Sequence, residues 1–268
     1  MHKPHQLYGR GIDRRRFLLR SFGWTLAGLT WLNPLAKVMA GGKRPCEARM
    51  AIIIDDIGYS RRRAASFLRI GADLTYAVLP HLPYSVELAH SIHQKRHEVL
   101  LHQPMEPFDR QLDPGPGALY VGDSALHIEN VLSTNIRAVP FATGVNNHMG
   151  SRFTANGDGI RHTLQAIKRH GLFFVDSLTS HHSKAYHTAC GLHMTSGRRD
   201  TFLDNCRHPR AILNRLYDVM NRALVYGHAI AIGHPHPETA EALHMFWSEI
   251  QDTPVRIVPV SRLLSDSA

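Results

Sequence analysis

The stretch Ile52-Ile53-Ile54-Asp55-Asp56-Ile57-Gly58 constrains the fold of this chain more than any other. Three consecutive β-branched residues predict a strand that is buried on both faces, as in a parallel sheet. The two carboxylates come where such a strand should end, and Gly58 allows the chain to turn away. Since neighbours in a strand point to opposite faces, Asp55 and Asp56 can share one environment only if the strand ends there. In α/β folds, a strand end that opens into a cleft is the usual place for an active site.

The same pair of carboxylates also has a simpler interpretation. Asp is a favourable N-cap residue, and residues 61–70 have the pattern of a helix. Capping would account for one of the two side chains and would leave the other to be explained.

The rest of the chain alternates short apolar runs with longer helical patterns. This alternation predicts an α/β fold in which a parallel sheet has helices between its strands. Seven to eight such units fit a distorted or incomplete (β/α) barrel, and an open doubly wound sheet is the alternative. After the first strand, the predicted strands cover residues 74–79, 98–101, 137–143, 172–175, 192–195, 228–232 and 255–258, and residues 200–205 are predicted as a loop.

Polar side chains follow several of these strands. Because the carboxyl ends of parallel strands open on one face of a barrel, we expect these side chains to lie close together. Two imidazoles and one carboxylate commonly hold a divalent metal in hydrolytic sites, with open positions for water and substrate. One Asp of the pair would then be a ligand, and the other a general base near a water whose pKa the metal lowers. The strand-end residues are Asp55, Asp56, His102, Asn146, Asn147, His148, Asp176 and His234.

For a single histidine of this set, the metal interpretation is not the only one. His102 by itself could equally be a loop residue with ordinary hydrogen bonds. His148 follows two Asn residues that could equally cap a turn. Only the combination with the Asp pair favours a metal site.

The first forty residues resemble an export signal. Arg14-Arg15-Arg16-Phe17-Leu18 is a twin-arginine pattern, and a mostly apolar stretch and small residues near position 40 follow it. An uncleaved membrane anchor is the alternative, but the apolar run is short for a span and polar residues interrupt it. We therefore predict a periplasmic or secreted protein that contacts the export machinery only transiently and has no stable membrane span. The predicted divisions are a signal (1–40), a linker (41–48) and a catalytic domain (49–268).

Charge and cysteine content add two constraints. The net charge is +9, but residues 1–40 carry +6 of it, so the remainder shows no basic face for nucleic acid. The three cysteines, Cys46, Cys190 and Cys206, do not form a metal motif. In an oxidising compartment Cys190 and Cys206 could pair, which would leave Cys46 free.

Five motifs occur in order along residues 48–262. They are Ile53-Ile54-Asp55-Asp56-Ile57-Gly58, Leu101-His102-Gln103-Pro104-Met105-Glu106-Pro107, Asn146-Asn147-His148-Met149-Gly150-Ser151, Phe174-Val175-Asp176-Ser177 and Ile232-Gly233-His234. Together they resemble the divergent polysaccharide deacetylases, exported bacterial relatives of the carbohydrate esterases that remove acetyl groups from chitin, peptidoglycan and similar glycans. The resemblance implies a polysaccharide deacetylase-like incomplete barrel, a zinc-type site and an acetylated glycan as substrate.

The resemblance also implies roles for the metal-site residues. In the better-studied relatives the first Asp of the pair is the base and the second is a ligand, which here are Asp55 and Asp56. His102 matches the first histidine of a His-x3-His pair, but Glu106 stands where the second would be. The third ligand must then come from elsewhere, and we choose His148 with Glu106 as the reserve.

The last motif would supply the acid. By the same resemblance, His234 protonates the leaving amine and is held by a carboxylate such as Asp176. The predicted function is therefore an exported metal-dependent hydrolase that deacetylates a cell-envelope glycan. Loss of the His-x3-His pattern favours a catalytically reduced glycan-binding or envelope-structural protein on the same barrel, and a metal amidohydrolase that acts on a peptide or small amide is a further alternative.

Overall fold

A parallel sheet organises residues 47–265, the part of the chain that the computed structural model describes. Its strands are β1 (Ala48–Ile57), β2 (Thr75–Val78), β3 (Glu98–Met105), β4 (Ala142–Met149), β5 (Phe173–Asp176), β6 (Ser196–Arg198), β7 (Thr201–Phe202), β8 (His228–Gly233) and β9 (Val255–Ile257). The helices are α1 (Arg61–Phe67), α2 (Ser85–Gln94), α3 (Ala125–Ala138), α4 (Gly157–Arg169), α5 (Ala185–Gly191), α6 (Pro209–Tyr226), α7 (Pro237–Ile250) and α8 (Val260–Ser265). The predicted signal, its boundary with the linker and Cys46 lie outside the described residues.

The sheet curls into an incomplete barrel. Its strand order is β6-β5-β4-β3-β2-β1-β8-β7, with β9 paired to β1. The order follows the chain in one direction, as in a (β/α) barrel, and does not reverse at a switch point as in the doubly wound alternative. β6 and β7 form the two ends of this order although only residues 199 and 200 separate them in the chain. The prediction of a distorted or incomplete (β/α) barrel is thus confirmed.

β1 is buried on both faces, as its sequence predicts. Ile52 and Ile54 belong to the apolar core that the helices share, whereas Ala51 and Ile53 belong to a second core on the opposite face of the sheet. All four side chains are fully buried. Since burying one Ile contributes about 1.5–3 kcal/mol, these contacts fix the position of β1 and of the polar residues at its end.

Four details differ from the sequence-based expectations. The strand expected over residues 137–143 is β4, which begins only at Ala142, because residues 137 and 138 still belong to α3. α1 begins after Ser60, whose hydroxyl accepts a hydrogen bond from the Arg63 backbone N–H, so the N-cap is Ser60 and neither carboxylate of the Asp pair. No strand forms over residues 192–195, because His193 has a left-handed φ of 53°, which a strand does not accommodate. The strand β6 begins after this segment, at Ser196. β7 lies within the expected loop at 200–205, and its two residues are too few to show an alternating pattern.

Two further expectations concern the cysteines and membrane-spanning helices. Cys190 and Cys206 are both free and exposed, so the disulfide that the sequence would allow is not formed. Over residues 47–265, none of the helices combines the length and the hydropathy of a membrane span. The export prediction depends on residues outside this range.

Candidate metal centre

The carboxyl end of β1 brings two consecutive carboxylates into one site. Asp56 has a left-handed φ of 56°, and the register of β1 against β2 shifts between Ile54 and Ile57. This irregularity removes the alternation of faces that a regular strand would impose on Asp55 and Asp56. A left-handed backbone at a non-glycine residue is strained, and such strain clusters at functional sites.

Asp56, His102 and His148 together present three potential metal ligands. Asp56 Oδ1 lies 2.9 Å from His148 Nδ1 and 3.3 Å from His102 Nε2. The two ring nitrogens lie 3.1 Å apart. In a tetrahedral zinc site with bonds of about 2.0–2.1 Å, neighbouring ligand atoms are about 3.3 Å apart. The triangle formed by these atoms therefore has the size that one metal ion requires.

The pairing of β3 with β4 explains why the two histidines meet. These strands are parallel and in register, with His102 opposite Asn146 and Pro104 opposite His148. His148 therefore lies two residues beyond the position opposite His102, at the same end of the sheet. The two imidazole rings meet edge to face, with their centroids 4.9 Å apart.

Asn146 fixes the proton on His102. The Asn146 Nδ2 donates to Asp55 Oδ1 over 2.8 Å, so its Oδ1 accepts the proton of His102 Nδ1, also at 2.8 Å. The neutral imidazole then has its lone pair on Nε2, the nitrogen that faces Asp56 and His148. Histidine ligands are commonly oriented in this way by a hydrogen bond from the other ring nitrogen. Asn146 thus connects the candidate ligand His102 to Asp55.

One oxygen of Asp56 is suited to bind a cation. Among the described residues, Asp56 Oδ1 is buried and has no hydrogen-bond partner, although two ring nitrogens lie near it. Burial raises the pKa of this carboxyl, but the imidazoles of His102 and His148 lower it well below its usual range, which keeps the group ionised. A buried anionic oxygen without a partner is unfavourable. The donor chemistry, the spacing and this oxygen all fit a divalent metal.

Asp55 borders the same centre from its buried side. Its Oδ1 is occupied by Asn146, whereas its Oδ2 lies 3.6 Å from His102 Nε2. Burial raises the pKa of the Asp55 carboxyl, against the opposing effect of His102 and His234. Asp55 therefore has one oxygen held by a hydrogen bond and one oxygen that faces the cluster.

Glu106, the reserve ligand, has partners elsewhere. Its Oε1 accepts from the Arg152 guanidinium over 2.6 Å, and its Oε2 accepts from the Val121 backbone N–H over 2.8 Å. Glu106 is thus bound to the segment after β4 through Oε1 and to the loop after β3 through Oε2. The geometry brings His148, and not Glu106, to the side chains of Asp56 and His102.

His234, at the end of β8, is held by Asp204. The ring Nδ1 of His234 donates to Asp204 Oδ1 over 2.9 Å, and its backbone N–H donates to Asp204 Oδ2 over 2.6 Å. Asp204 follows β7, which pairs with β8 through Phe202 and Ile232. The two residues therefore emerge from adjacent strands on the same face.

The expectation that Asp176 holds His234 is wrong. Asp176 Oδ1 accepts from the Leu178 backbone N–H, and Asp176 Oδ2 accepts from the Ser183 hydroxyl. These bonds fix the loop after β5, a strand that β4, β3, β2 and β1 separate from β8 in the sheet. The buried Asp176 carboxylate is thus explained by loop structure.

A second group of ligand-type side chains lies around His234. Ligand atoms of Asp204, His234 and His236 lie within 4.8 Å of one another. The oxygens of Asp204, however, already accept bonds from His234 and from the Thr239 hydroxyl, the latter at 2.9 Å. This carboxylate lacks the unpaired oxygen found at Asp56, and we interpret the group as a hydrogen-bonded acid pair.

The pair makes His234 a strong base. Burial lowers the pKa of His234. The hydrogen bond to Asp204 and the negative charges of Asp55 and Asp204 raise the pKa by more than burial lowers it, so its net value is about 9. Burial raises the pKa of Asp204, and the bond to His234 lowers it below its usual range. Near neutral pH, His234 is therefore protonated and can donate a proton.

Replacing Asp204 with asparagine should lower the pKa of His234 from about 9 towards the ordinary value of about 6.5. The folded-state pKa lies above the unfolded one, so the pair stabilises the fold fully below about pH 6.5 and less as pH rises through about 9. NMR titration of the ring measures the pKa, and urea unfolding should show a larger loss of stability at pH 6 than at pH 10. A His234 pKa that is the same in both proteins would contradict the assigned pair.

Sequence reasoning missed the roles of Asp204 and Asn146. Asp204 follows Phe202-Leu203, a short apolar run before an acidic residue, and this was the only signal in the sequence. Asn146 belongs to a recognised motif, but nothing in the sequence shows that its amide joins His102 to Asp55.

Known proteins resemble this chain over most of its length. The YibQ protein of Escherichia coli K12, described as uncharacterized, is 35% identical over 221 residues, which are 81% of this chain and 68% of that protein. A crystal structure of an uncharacterized Agrobacterium tumefaciens C58 protein superposes with a TM-score of 0.78 at 26% identity, covering 84% of this chain and 91% of the other.

A more distant structure shares the fold. It is a mutant of a CE4 family pseudoenzyme from Bacillus anthracis with restored enzymatic activity. It has a TM-score of 0.51 and 15% identity, over 82% of this chain and 69% of the other. The model of one family, described as divergent polysaccharide deacetylase, matches residues 52–264. With the sheet order and the strand-end cluster on the same residues, this match establishes that the chain belongs to the divergent polysaccharide deacetylase family.

Proposed function

We propose that this protein is a metal-dependent hydrolase that removes acetyl groups from a cell-envelope glycan. The observation that carries the proposal is the triangle of Asp56, His102 and His148 with a carboxylate, Asp55, directly beside it. The family to which the chain belongs supports a glycan as the substrate.

A divalent metal would be held by Asp56, His102 and His148, and zinc matches the two imidazoles and one carboxylate well. When bound, the metal polarises the acetyl carbonyl and lowers the pKa of water. Three protein ligands leave open positions for substrate, which is the pattern of catalytic sites and differs from the closed pattern of structural ones.

The remaining residues would move protons. Asp55 accepts the proton of the attacking water at Oδ2, while Asn146 holds Oδ1 and so fixes the direction of the carboxylate. Water oxygen bonds to the acetyl carbon, the bond from that carbon to the glycan nitrogen or oxygen breaks, and acetate leaves. His234 gives its proton to the departing atom, and Asp204 stabilises the charged imidazole before that transfer.

A binding protein without turnover is the second candidate. In this chain Glu106 replaces the second histidine of the His-x3-His pair and is bound to Arg152. A structural neighbour is itself described as a pseudoenzyme in its unmutated form. Retention of both Asp55 and Asp56 favours the hydrolase, since binding alone would not require a base beside the cluster.

Acetate release from N-acetylated and O-acetylated envelope glycans separates the two candidates. We expect the purified protein, supplied with zinc, to release acetate from at least one glycan and to lose this activity on chelation. Retention on immobilised glycans is measured in parallel. Binding without any acetate release across the panel would instead support the binding protein.

We further propose that the chain is exported by the twin-arginine route and acts in the periplasm or outside the cell. Replacing both Arg14 and Arg15 with lysine should leave the full-length precursor in the cytoplasm, because that route reads the arginine pair. Fractionation and immunoblotting measure the distribution. Export of the double variant at the wild-type level would exclude this route.

A further inference from the structure

A cavity of about 530 Å³ lies beyond the ends of β3 and β4, the strands that carry His102 and His148. Its wall includes Glu106, directly after β3, and Arg152, which follows the end of β4. The backbone N–H of Arg152 donates to the Glu106 carbonyl over 3.2 Å, so the two parts of the wall meet at this edge of the sheet. Glu106 lies about 7 Å along the strand beyond Pro104, the residue opposite His148. The cavity therefore opens on the same edge as the candidate metal centre.

The side chain of Glu106 holds two parts of this wall together. Its Oε1 accepts from the Arg152 guanidinium over 2.6 Å, and its Oε2 accepts from the Val121 backbone N–H over 2.8 Å. These bonds fasten the loop after β3 to the segment after β4. The carboxylate that stands where the His-x3-His pattern has a histidine thus shapes the cavity in this chain.

The loop after β3 is also fixed from the core. The Asn135 Nδ2 donates to the Gly117 carbonyl and to Gln103 Oε1, both over 2.8 Å. Gly117 has a left-handed φ of 74°, and a Cβ at this position would lie only 2.3 Å from Asn135 Oδ1. Two residues later, the backbone of Leu119 pairs with that of Met105. The cavity is therefore formed before any ligand binds.

Tyr120 presents an aromatic ring at this cavity. It follows the buried Leu119, and its backbone N–H donates to Asp123 Oδ2 over 2.7 Å, so its main chain is held in place. Its side chain forms part of the wall, yet the residue remains 44% exposed. The face of an aromatic ring is negative and attracts groups with a positive edge, such as the C–H groups of a sugar ring. A fixed and accessible tyrosine is thus suited to stack against a sugar.

The rest of the wall suits sugar hydroxyls, which both donate and accept hydrogen bonds. Arg110 and Gln111 carry N–H donors, and Asp113 carries a carboxylate acceptor. Pro107 and Pro114 add apolar surface. Apolar surface with a few polar groups is the usual composition of a small-molecule site.

We propose that this cavity binds the sugar next to the acetylated one, with the ring of Tyr120 stacked against it. This inference rests on the proposed function, since it extends the glycan site beyond the metal centre. The preferred substrate is then a chain of several sugars and not a single acetylated sugar.

The test compares acetylated fragments of one to four sugars, prepared from chitin and from the glycan strands of peptidoglycan. In wild type, kcat/KM for acetate release should be higher for the longer fragments than for the single sugar. Tyr120→Ala should reduce the ratio of four-sugar to single-sugar kcat/KM roughly 3- to 10-fold, the effect of losing one aromatic contact. Tyr120→Phe keeps the ring and should retain most of the ratio.

Phe108→Ala is the matched control. Phe108 is an exposed aromatic residue of the same loop, but it is not part of the cavity wall. Its replacement should leave the ratio unchanged. Equal kcat/KM for all fragment lengths, or a ratio that Tyr120→Ala and Phe108→Ala reduce equally, would overturn the proposal.

Equilibrium binding to Asp55→Asn protein keeps this test distinct from that of hydrolysis. If wild type releases no acetate but Asp55→Asn protein binds four sugars more tightly than one, and the added Tyr120→Ala substitution removes the difference, hydrolysis fails and the sugar site stands. Acetate release with equal binding of all lengths would leave the hydrolase and overturn the sugar site. Failure of the Asp55→Asn protein to bind any fragment would overturn it as well.

Discussion

Replacing Asp55 with asparagine is expected to lower the rate of acetate release by roughly 10²–10⁴-fold, the usual contribution of a positioned general base. Asparagine keeps the size of the side chain and can still accept the hydrogen bond from Asn146 Nδ2. It cannot accept a proton from water. The fold and the metal content should therefore remain those of the wild type.

The experiment measures acetate release, bound metal and thermal unfolding on the same preparations of wild type and Asp55→Asn. Asp176→Asn is a useful comparison, because Asp176 is also a buried strand-end carboxylate, but its side chain accepts hydrogen bonds from the loop after β5 and from the first turn of α5. The Asp176→Asn substitution should affect acetate release mainly by destabilising the fold. Loss of metal from Asp55→Asn would show that Asp55 is a ligand, contrary to the assignment, and an unchanged rate would show that it is not the base.

Replacing any one of Asp56, His102 and His148 with alanine is expected to weaken metal binding by more than about 100-fold. That limit is the upper end of the effect of losing an outer-shell partner, and a direct ligand should matter more. With only two protein donors remaining, the site has too few ligands to compete for zinc. Elemental analysis after dialysis, together with a competitive chelator titration, measures the change.

Glu106→Gln is the matched control for these three variants. It removes the reserve carboxylate but keeps an acceptor for the Val121 backbone N–H. Its metal affinity should equal that of wild type. If Glu106→Gln loses the metal while His148→Ala keeps it, the third ligand is Glu106 and the site must rearrange from the geometry seen here.

The general architecture and most of the site could be predicted from the sequence, because local patterns determine them. The run Ile52–Ile54 must be buried on both sides, and its neighbours Asp55 and Asp56 then have to lie at a strand end. The parallel arrangement carries His102 and His148 to the same edge. Each of these steps uses only the residue types and their order.

The partner of His234 could not be predicted in the same way. It depends on β7, a strand of only two residues. This strand forms because it pairs with β8, and its own sequence is too short to show a strand pattern. Asp176 has the stronger sequence signal, since it follows a clear apolar run, but its side-chain oxygens bond to the segment after β5. The pairing of β7 with β8 therefore decided between two carboxylates that looked alike in the sequence.

The left-handed backbone conformation of Asp56 could not be predicted from the sequence either. A φ of 56° is unfavourable for an isolated Asp, and the surrounding sheet has to maintain it. The sequence indicated that the strand must end at the pair, whereas the structure shows how one distorted residue directs both side chains to the same centre.

Acetate release followed against metal occupancy on one acetylated glycan tests the central claim most directly. The wild-type protein is stripped with a chelator and then titrated with zinc while bound metal and rate are both recorded. We predict that the rate is lost with the metal and returns in proportion to occupancy, reaching its maximum at one ion per chain. A rate that is the same with and without bound metal, or full occupancy of the site without any acetate release, would contradict the claim that this centre is a metal-dependent deacetylase.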